Sequence, residues 1–158
     1  MPLSPEIVGK HYRHPDFYEV GREKVREYAT AIKNDDAVYH DEAAAAADGH
    51  STLLAPLTFM SVFGYTAQVA FFESVNVGIT DAQIVQVDQE FKFLRTVSVG
   101  DRLFCDVYAH SYRQAHGTDI IVLKTMISNG SDEVVLETYT TLAGRADESG
   151  EGFSNGAT

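Results

Sequence analysis

Pro56-Leu57-Thr58-Phe59-Met60-Ser61-Val62-Phe63-Gly64-Tyr65-Thr66-Ala67-Gln68-Val69-Ala70-Phe71-Phe72-Glu73-Ser74-Val75-Asn76 is the stretch on which the fold turns. Pro56 suits the first turn of a helix, where its missing N–H costs nothing. The spacing predicts a helix from there to about Asn76, about 30 Å long at 1.5 Å per residue. Its apolar residues go almost all the way round, so other structure must wrap it. What can wrap it follows directly. After Gly78 the period changes to two. Val85, Val87, Phe91 and Phe93 alternate with Gln86, Asp88, Glu90 and Lys92, and Leu103, Cys105, Val107 and Ala109 alternate with Phe104, Asp106, Tyr108 and His110. Ile121, Leu123 and Ile127 follow, then Val134, Leu136 and Leu142. These read as four strands of about eight to twelve residues with their apolar sides inward. Val99-Gly100-Asp101 marks one turn, and Asn129-Gly130 a hairpin loop somewhat longer than two residues.

Upstream, Phe17 to Val20 reads as extended. A helix is expected from about Gly21 to Ile32, because Val25, Tyr28, Ala29 and Ile32 form one stripe and Glu23 can meet Arg26 on the outer face. A second, short helix is expected over Asp41 to Ala47, with acids in its first turn and Gly49 beyond its end. An antiparallel sheet curled around one buried helix is an α+β solution with a single core, the hotdog architecture. It leaves a sheet edge open, and edges need covering, so a dimer is expected. We place this domain at residues 1–146. The tail at 147–158, rich in glycine and acids, reads as flexible.

The chain has 158 residues, 44% hydrophobic, enough for one domain with a sizeable core. Its 12 Lys and Arg against 23 Asp and Glu give a formal charge of −11. That balance argues against nucleic acid and against an anionic membrane surface. From Asn34 to Phe91 there is no Lys or Arg but there are nine acids. No apolar run is long enough for a membrane span, and the first residues lack the pattern of a secretory leader, so a cytoplasmic protein is expected. The single cysteine, Cys105, falls in an inward register and reads as an inert buried thiol. The six histidines show no metal-binding spacing, and no nucleotide-binding loop is present; no metal and no cofactor is expected.

Chemistry is sought first in Asn34-Asp35-Asp36-Ala37-Val38-Tyr39-His40-Asp41. Acid–base work on an acyl thioester needs a proton acceptor and a group that orients or protonates oxygen, which Asp35 and His40 could supply. The alternative is that the acids merely end a helix and His40 is a surface residue. Free N–H groups at the start of the central helix, around Ala55-Pro56-Leu57-Thr58, could hold a thioester oxygen, less one donor for the proline. The aromatic side of that helix, Phe59, Phe63 and Tyr65, could line an acyl channel, or could simply be core. Ser61 and Gly64 are small residues that leave room there, and Gln86, Asp88 and Gln89 on the following strand complete the channel candidates.

Several blocks carry a resemblance: His11-Tyr12-Arg13, Gly21-Arg22-Glu23-Lys24, Leu54-Ala55-Pro56-Leu57-Thr58-Phe59, Ile84-Val85-Gln86-Val87-Asp88-Gln89, Ala115-His116-Gly117-Thr118, and Glu137-Thr138-Tyr139-Thr140-Thr141-Leu142-Ala143-Gly144. In this order they resemble the HadA-type subunits of the mycobacterial (3R)-hydroxyacyl-ACP dehydratases, in the MaoC-like hotdog family. HadC-type subunits share many of the blocks, and Gly150-Glu151-Gly152-Phe153-Ser154 favours the HadA type. The resemblance implies dehydration of a (3R)-hydroxyacyl-ACP to the trans-2-enoyl-ACP in type II fatty acid synthesis, during mycolic acid elongation. It also implies a HadB-type partner that carries the catalytic Asp and His in an Asp-x-Asn-Pro-x-His sequence, and a carrier protein that delivers the substrate. Asp35 and His40 keep that spacing, but Ala37-Val38 stands where the pattern has Asn-Pro. Ala55-Pro56-Leu57 lacks the glycine that opens the central helix in the hydratase pattern. The expected role is therefore an acyl-chain-binding subunit, active with its partner. The other two readings are a self-sufficient homodimeric hydratase using Asp35 and His40, and a binding protein for acyl thioesters without turnover.

Overall fold

The computed structural model describes residues 3–79, 84–145 and 153–155. Its elements run β1 (His11–Arg13), β2 (Tyr18–Glu19), α1 (Arg22–Ala31), α2 (Glu42–Ala47), α3 (Ser61–Ser74), β3 (Val77–Ile79), β4 (Ile84–Phe93), β5 (Arg102–Ala115), β6 (Thr118–Ser128), β7 (Val134–Arg145) and β8 (Phe153–Asn155). Antiparallel pairing gives one sheet in the order β1-β5-β6-β7-β4, with β2 also on β5, and a small sheet of β3 and β8. The reversals follow from local chemistry. Between β5 and β6, His116 and Gly117 both take positive φ, 52° and 74°, the requirement of a two-residue hairpin whose twist matches its strands. Between β6 and β7, the Asn129 side-chain oxygen accepts from the N–H groups of Ser131 and Glu133, which fixes the longer loop expected there.

The sheet curls around α3, and the α+β hotdog arrangement read from the sequence is the one observed. Phe63, Ala67 and Phe71 of the helix share a core with Leu103, Cys105, Val107, Ile121 and Leu123. Full burial of each large apolar side chain contributes about 1.5–3 kcal/mol. No helix among the described residues is long and apolar enough to cross a membrane.

Four expectations need correction. The central helix begins at Ser61, not Pro56. Residues 57–60 form tight turns, with Phe59 N–H on the Pro56 carbonyl (2.9 Å) and Ser61 N–H on that of Thr58 (3.1 Å). The second long strand continues to Ala115, past a register shift between Ala109 and Ser111 that breaks its alternation. In β4 a shift between Gln86 and Asp88 inverts the facing. Val85 and Val87 are 58% and 56% exposed, so the first half of the strand turns its valines outward. Finally, Phe153–Asn155 in the expected flexible tail form a strand on Val77–Ile79. Phe153 is buried beside Phe72, ring centroids 5.7 Å apart, and its ring lies over Gly144, where any Cβ would come within 2.9 Å of it. A glycine is the only residue that lets that ring down onto β7. The rest of 147–158 lies outside the described residues.

Candidate functional site

The loop between α1 and α2 does not assemble the expected pair. His40 Nε2 lies 2.8 Å from the Asn34 carbonyl, which can only accept, so this ring nitrogen carries the proton and spends it on the main chain. Asp35 is exposed. Its neighbours are structural: Asp36 accepts from Val38 N–H (3.3 Å), and Asp41 caps α2 by accepting from Ala44 N–H (2.8 Å). The start of α3 is equally committed. The N–H groups of Phe59, Ser61, Val62 and Gly64 bond to carbonyls three or four residues back. Ser61 Oγ and Tyr28 Oη both reach the Thr58 carbonyl, at 2.6 and 3.0 Å. Little of the helix terminus remains to hold a developing oxyanion.

The open space lies along the other side of α3, between the helix and strands β4 and β7. It has three compartments. The first, about 70 Å³, is bordered by Tyr39, Ala55, Leu57, Met60, Phe93 and Arg95. The second, about 50 Å³, shares Met60 with it and adds Ser61, Gly64, Gln89 and Phe91. The third, about 270 Å³, shares Tyr65, Gln68 and Gln86 with the second and ends at Phe72, Ile84 and Leu142. Met60 to Phe72 is twelve residues of rise, so the groove follows the helix for about 18 Å. The space is open at Gly64, where a Cβ would meet no atom within 4 Å. Tyr39 at its near end keeps its phenol proton, because burial and then the Asp36 charge raise its pKa.

Of the channel candidates, Ser61, Gly64, Tyr65, Gln86 and Gln89 line this groove. Phe59 and Phe63 do not: both are buried in the core, where Tyr18 and Tyr28 pack on Phe59 and Tyr18 and His14 on Phe63. Asp88 is exposed at the β4 irregularity, away from the groove lining. The same irregularity is what lets Gln86 and Gln89, three apart, share one face of a strand whose side chains otherwise alternate. Cys105 is fully buried, and burial pushes its thiol up to about 12, so it is no nucleophile at neutral pH.

A polar network at the groove's waist was not anticipated. Gln68 Nε2 donates to Thr140 Oγ1 (3.0 Å) and Thr125 Oγ1 (3.2 Å), and Thr140 Oγ1 donates to Gln89 Oε1 (2.7 Å). Gln68, Thr125, Thr138 and Thr140 are all buried. Two signals pointed to it. Gln68 is a large amide in the middle of an apolar helix, and Thr138 and Thr140 share the inward phase of Leu136 and Leu142.

Comparison with known proteins places this geometry in context. Residues 6–138 match the family described as FAS1-like, dehydratase domain region. A UPF0336 protein of Mycobacterium tuberculosis (strain H37Rv) is 60% identical over 157 residues, covering 99% of both chains. A second UPF0336 protein of that strain is 43% identical over 145 residues, covering 92% of this chain and 87% of its own. Among solved structures, the C-terminally truncated HadBC (3R-hydroxyacyl-ACP dehydratase) complex of Mycobacterium tuberculosis superposes with a TM-score of 0.83 at 42% identity, over 90% of this chain and 100% of that one. A MaoC-like dehydratase superposes with a TM-score of 0.80 at 37% identity, over 88% of this chain and 42% of that one.

Proposed function

The chain belongs to the FAS1-like dehydratase family of MaoC-like hotdog proteins, and from that premise we propose that it is the acyl-chain-binding subunit of a two-subunit (3R)-hydroxyacyl-ACP dehydratase. The observation that carries this reading is the groove along α3, in a chain whose own His40 is bonded to the Asn34 carbonyl. The chain offers a long aliphatic seat, while its Asp35 and His40 are not brought together as an acid–base pair. A HadB-type hotdog subunit supplies the missing Asp and His. Its imidazole takes a proton from C2 of the thioester. The bond from C3 to the hydroxyl breaks as the acidic side donates a proton, and water leaves with the trans-2-enoyl thioester behind. The carrier protein presents the head of the substrate to the partner's residues, and the alkyl tail runs between α3 and β4.

The edge of β4 is the surface for that partner. Among the described residues it pairs with β7 alone, and it exposes Val85, Val87 and Phe93, with Leu94 just beyond. A bare apolar edge is a liability unless something covers it. The substrate class and the partner fit type II elongation of mycolic acid precursors in the cytoplasm.

The test is hydration of an enoyl-CoA by the purified chain alone, then mixed with a HadB-type subunit. Turnover only in the mixture is the expected outcome. Full activity of the chain alone would return the chemistry to Asp35 and His40. Inactivity in both would leave a binding protein without turnover.

A further inference from the structure

The hydrogen bonds at the waist of the groove run in one direction only. Gln89 Nε2 lies 3.3 Å from the main-chain carbonyls of Tyr139 and of Glu90. Carbonyls accept and cannot donate, so that end of the side chain is the amide nitrogen and Oε1 faces Thr140. Gln89 Oε1 has no proton to give, so the Thr140 hydroxyl donates to it, at 2.7 Å. Thr140 has then spent its only proton and can only accept from Gln68. The amide nitrogen of Gln68 must therefore face Thr140, and its second N–H goes to Thr125. Both donors of Gln68 are consumed. Its Oε1 receives no hydrogen bond from the described residues, and it is not among the side-chain atoms sealed from solvent without a partner. Gln68 borders both the middle and the far compartment. The groove thus holds an acceptor whose orientation is fixed by a relay of three side chains.

This is a strange feature for a seat that takes a plain alkyl chain. Beyond the waist the far compartment is bounded mainly by Val69, Phe72, Ile84 and Leu142, and before it Met60, Phe91 and Ile127 stand beside Ser61, Gln86 and Gln89. A methylene passing Gln68 strips water from Oε1 and returns nothing, and an acceptor left bare in this way is costly. A chain with a hydroxyl at that point replaces the water. The mainly apolar far compartment requires alkyl chain beyond the donor, which a pantetheine arm, polar along its length, does not provide. We propose that Gln68 is a specificity-determining residue, and that the groove selects aliphatic chains bearing a hydroxyl partway along, whose proton is donated to Gln68 Oε1. The proposal rests on the reading of the groove as an acyl seat and names the class of acyl chain it prefers.

The experiment measures binding of hexadecanoic acid and of its monohydroxylated derivatives, with the hydroxyl stepped along the chain, to the full-length protein alone and with its partner subunit. One position of the hydroxyl is expected to bind about tenfold more tightly than the unsubstituted acid, the size of discrimination one buried polar group supplies. Gln68→Met, close in shape and without the acceptor, should abolish that preference. Thr140→Val keeps Gln68 but releases its amide to rotate, and should weaken the preference. If the native protein binds every derivative no better than hexadecanoic acid, the proposal is overturned whatever the variants do, and the acyl seat itself stands. A preference that survives in folded Gln68→Met also overturns it, because the hydroxyl is then read elsewhere. Failure of all the acids to bind removes the acyl reading and this inference together. Should Gln68→Met fail to fold, the native series and Thr140→Val decide.

Discussion

In the loop of residues 34–41, polar side chains close on the loop itself: His40 on the Asn34 carbonyl, Asp36 on the Val38 N–H and Asp41 on the cap of α2. In the groove beside α3, Gln68, Gln89 and Thr140 also bond to one another, but the relay ends on an oxygen to which none of the described residues donates. Both regions hold residues that a reader of the sequence would nominate for chemistry. The difference is in how they spend their hydrogen bonds. A group whose bonds are satisfied locally builds structure, and one left with capacity beside empty space can meet a ligand. By that measure it is the groove, rather than the loop, that keeps bonding capacity beside open space.

The sharpest way to break that contrast is to fill the groove. Gly64→Leu places its side chain in a compartment of about 50 Å³, from a position where a Cβ meets nothing within 4 Å. Each displaced methylene of a bound chain is worth about 0.8 kcal/mol, so excluding three or four costs about 3 kcal/mol. In the reconstituted heterodimer, kcat/KM for a long enoyl thioester should fall by about 100-fold, since 1.4 kcal/mol is tenfold. Crotonyl thioester, which reaches only the catalytic end, should lose no more than about threefold. The measurement is the ratio of the two values, with thermal melting as the check on folding. Equal losses in a well-folded variant would make this side of α3 ordinary surface.

The loop should respond in the opposite way. His40→Ala in the heterodimer should change kcat/KM by less than about tenfold, because a positioned acid–base group contributes about 10²–10⁴-fold and His40 is not so positioned. Its cost should appear in stability instead. The Asn34 carbonyl loses its donor, worth about 1 kcal/mol in a urea titration. A loss of 100-fold or more would place His40 back in the chemistry. Asp41→Ala tests the same region without touching the ring. A six-residue helix depends on its cap, so stability should drop by about 1 kcal/mol, read from the urea midpoint, while turnover stays unchanged.

The fold was legible because its two periods are uninterrupted over long stretches. The apolar run through Phe72 demanded a wrapping sheet, and the alternation from Leu103 to Leu142 supplied it. What escaped were departures from periodicity. The shift between Gln86 and Asp88 turned Val85 and Val87 out and brought Gln86 and Gln89 to one face, which strict alternation forbids. The residues at 57–60 had helical composition but settled into tight turns, and this delayed α3 by a turn and left Phe59 in the core. The site was partly legible for a simpler reason. Small residues on a bulky helix, Ser61 and Gly64, mark space whatever the register of the opposing strand. The polar relay was not, because its members lie far apart in sequence and only the curl of the sheet brings Thr125 and Thr140 to Gln68. Asp35 and His40 had the right spacing, but spacing does not specify where a ring nitrogen will find its partner.

The smallest substitution separates the two kinds of physics that meet at Gly64. A glycine inside a helix costs about 0.5–1 kcal/mol relative to alanine, through the backbone freedom it loses on folding. Nothing within 4 Å opposes a Cβ at this position. Gly64→Ala should therefore stabilise the fold by about 0.5–1 kcal/mol, a rise in Tm of a few degrees for a chain of this size. That the residue is nonetheless glycine fits a position where space beside the helix serves something other than the fold. One methyl narrows the groove far less than the leucine side chain does. Long and short thioesters should then lose kcat/KM by less than about threefold each, with the long one the more affected. A more stable Gly64→Ala with an intact short-chain rate and a small, selective loss for long chains would show that the glycine keeps the groove open. If the methyl instead lowers Tm, the wall beside Gly64 is closer than the structure has it, and the groove would have to be redrawn.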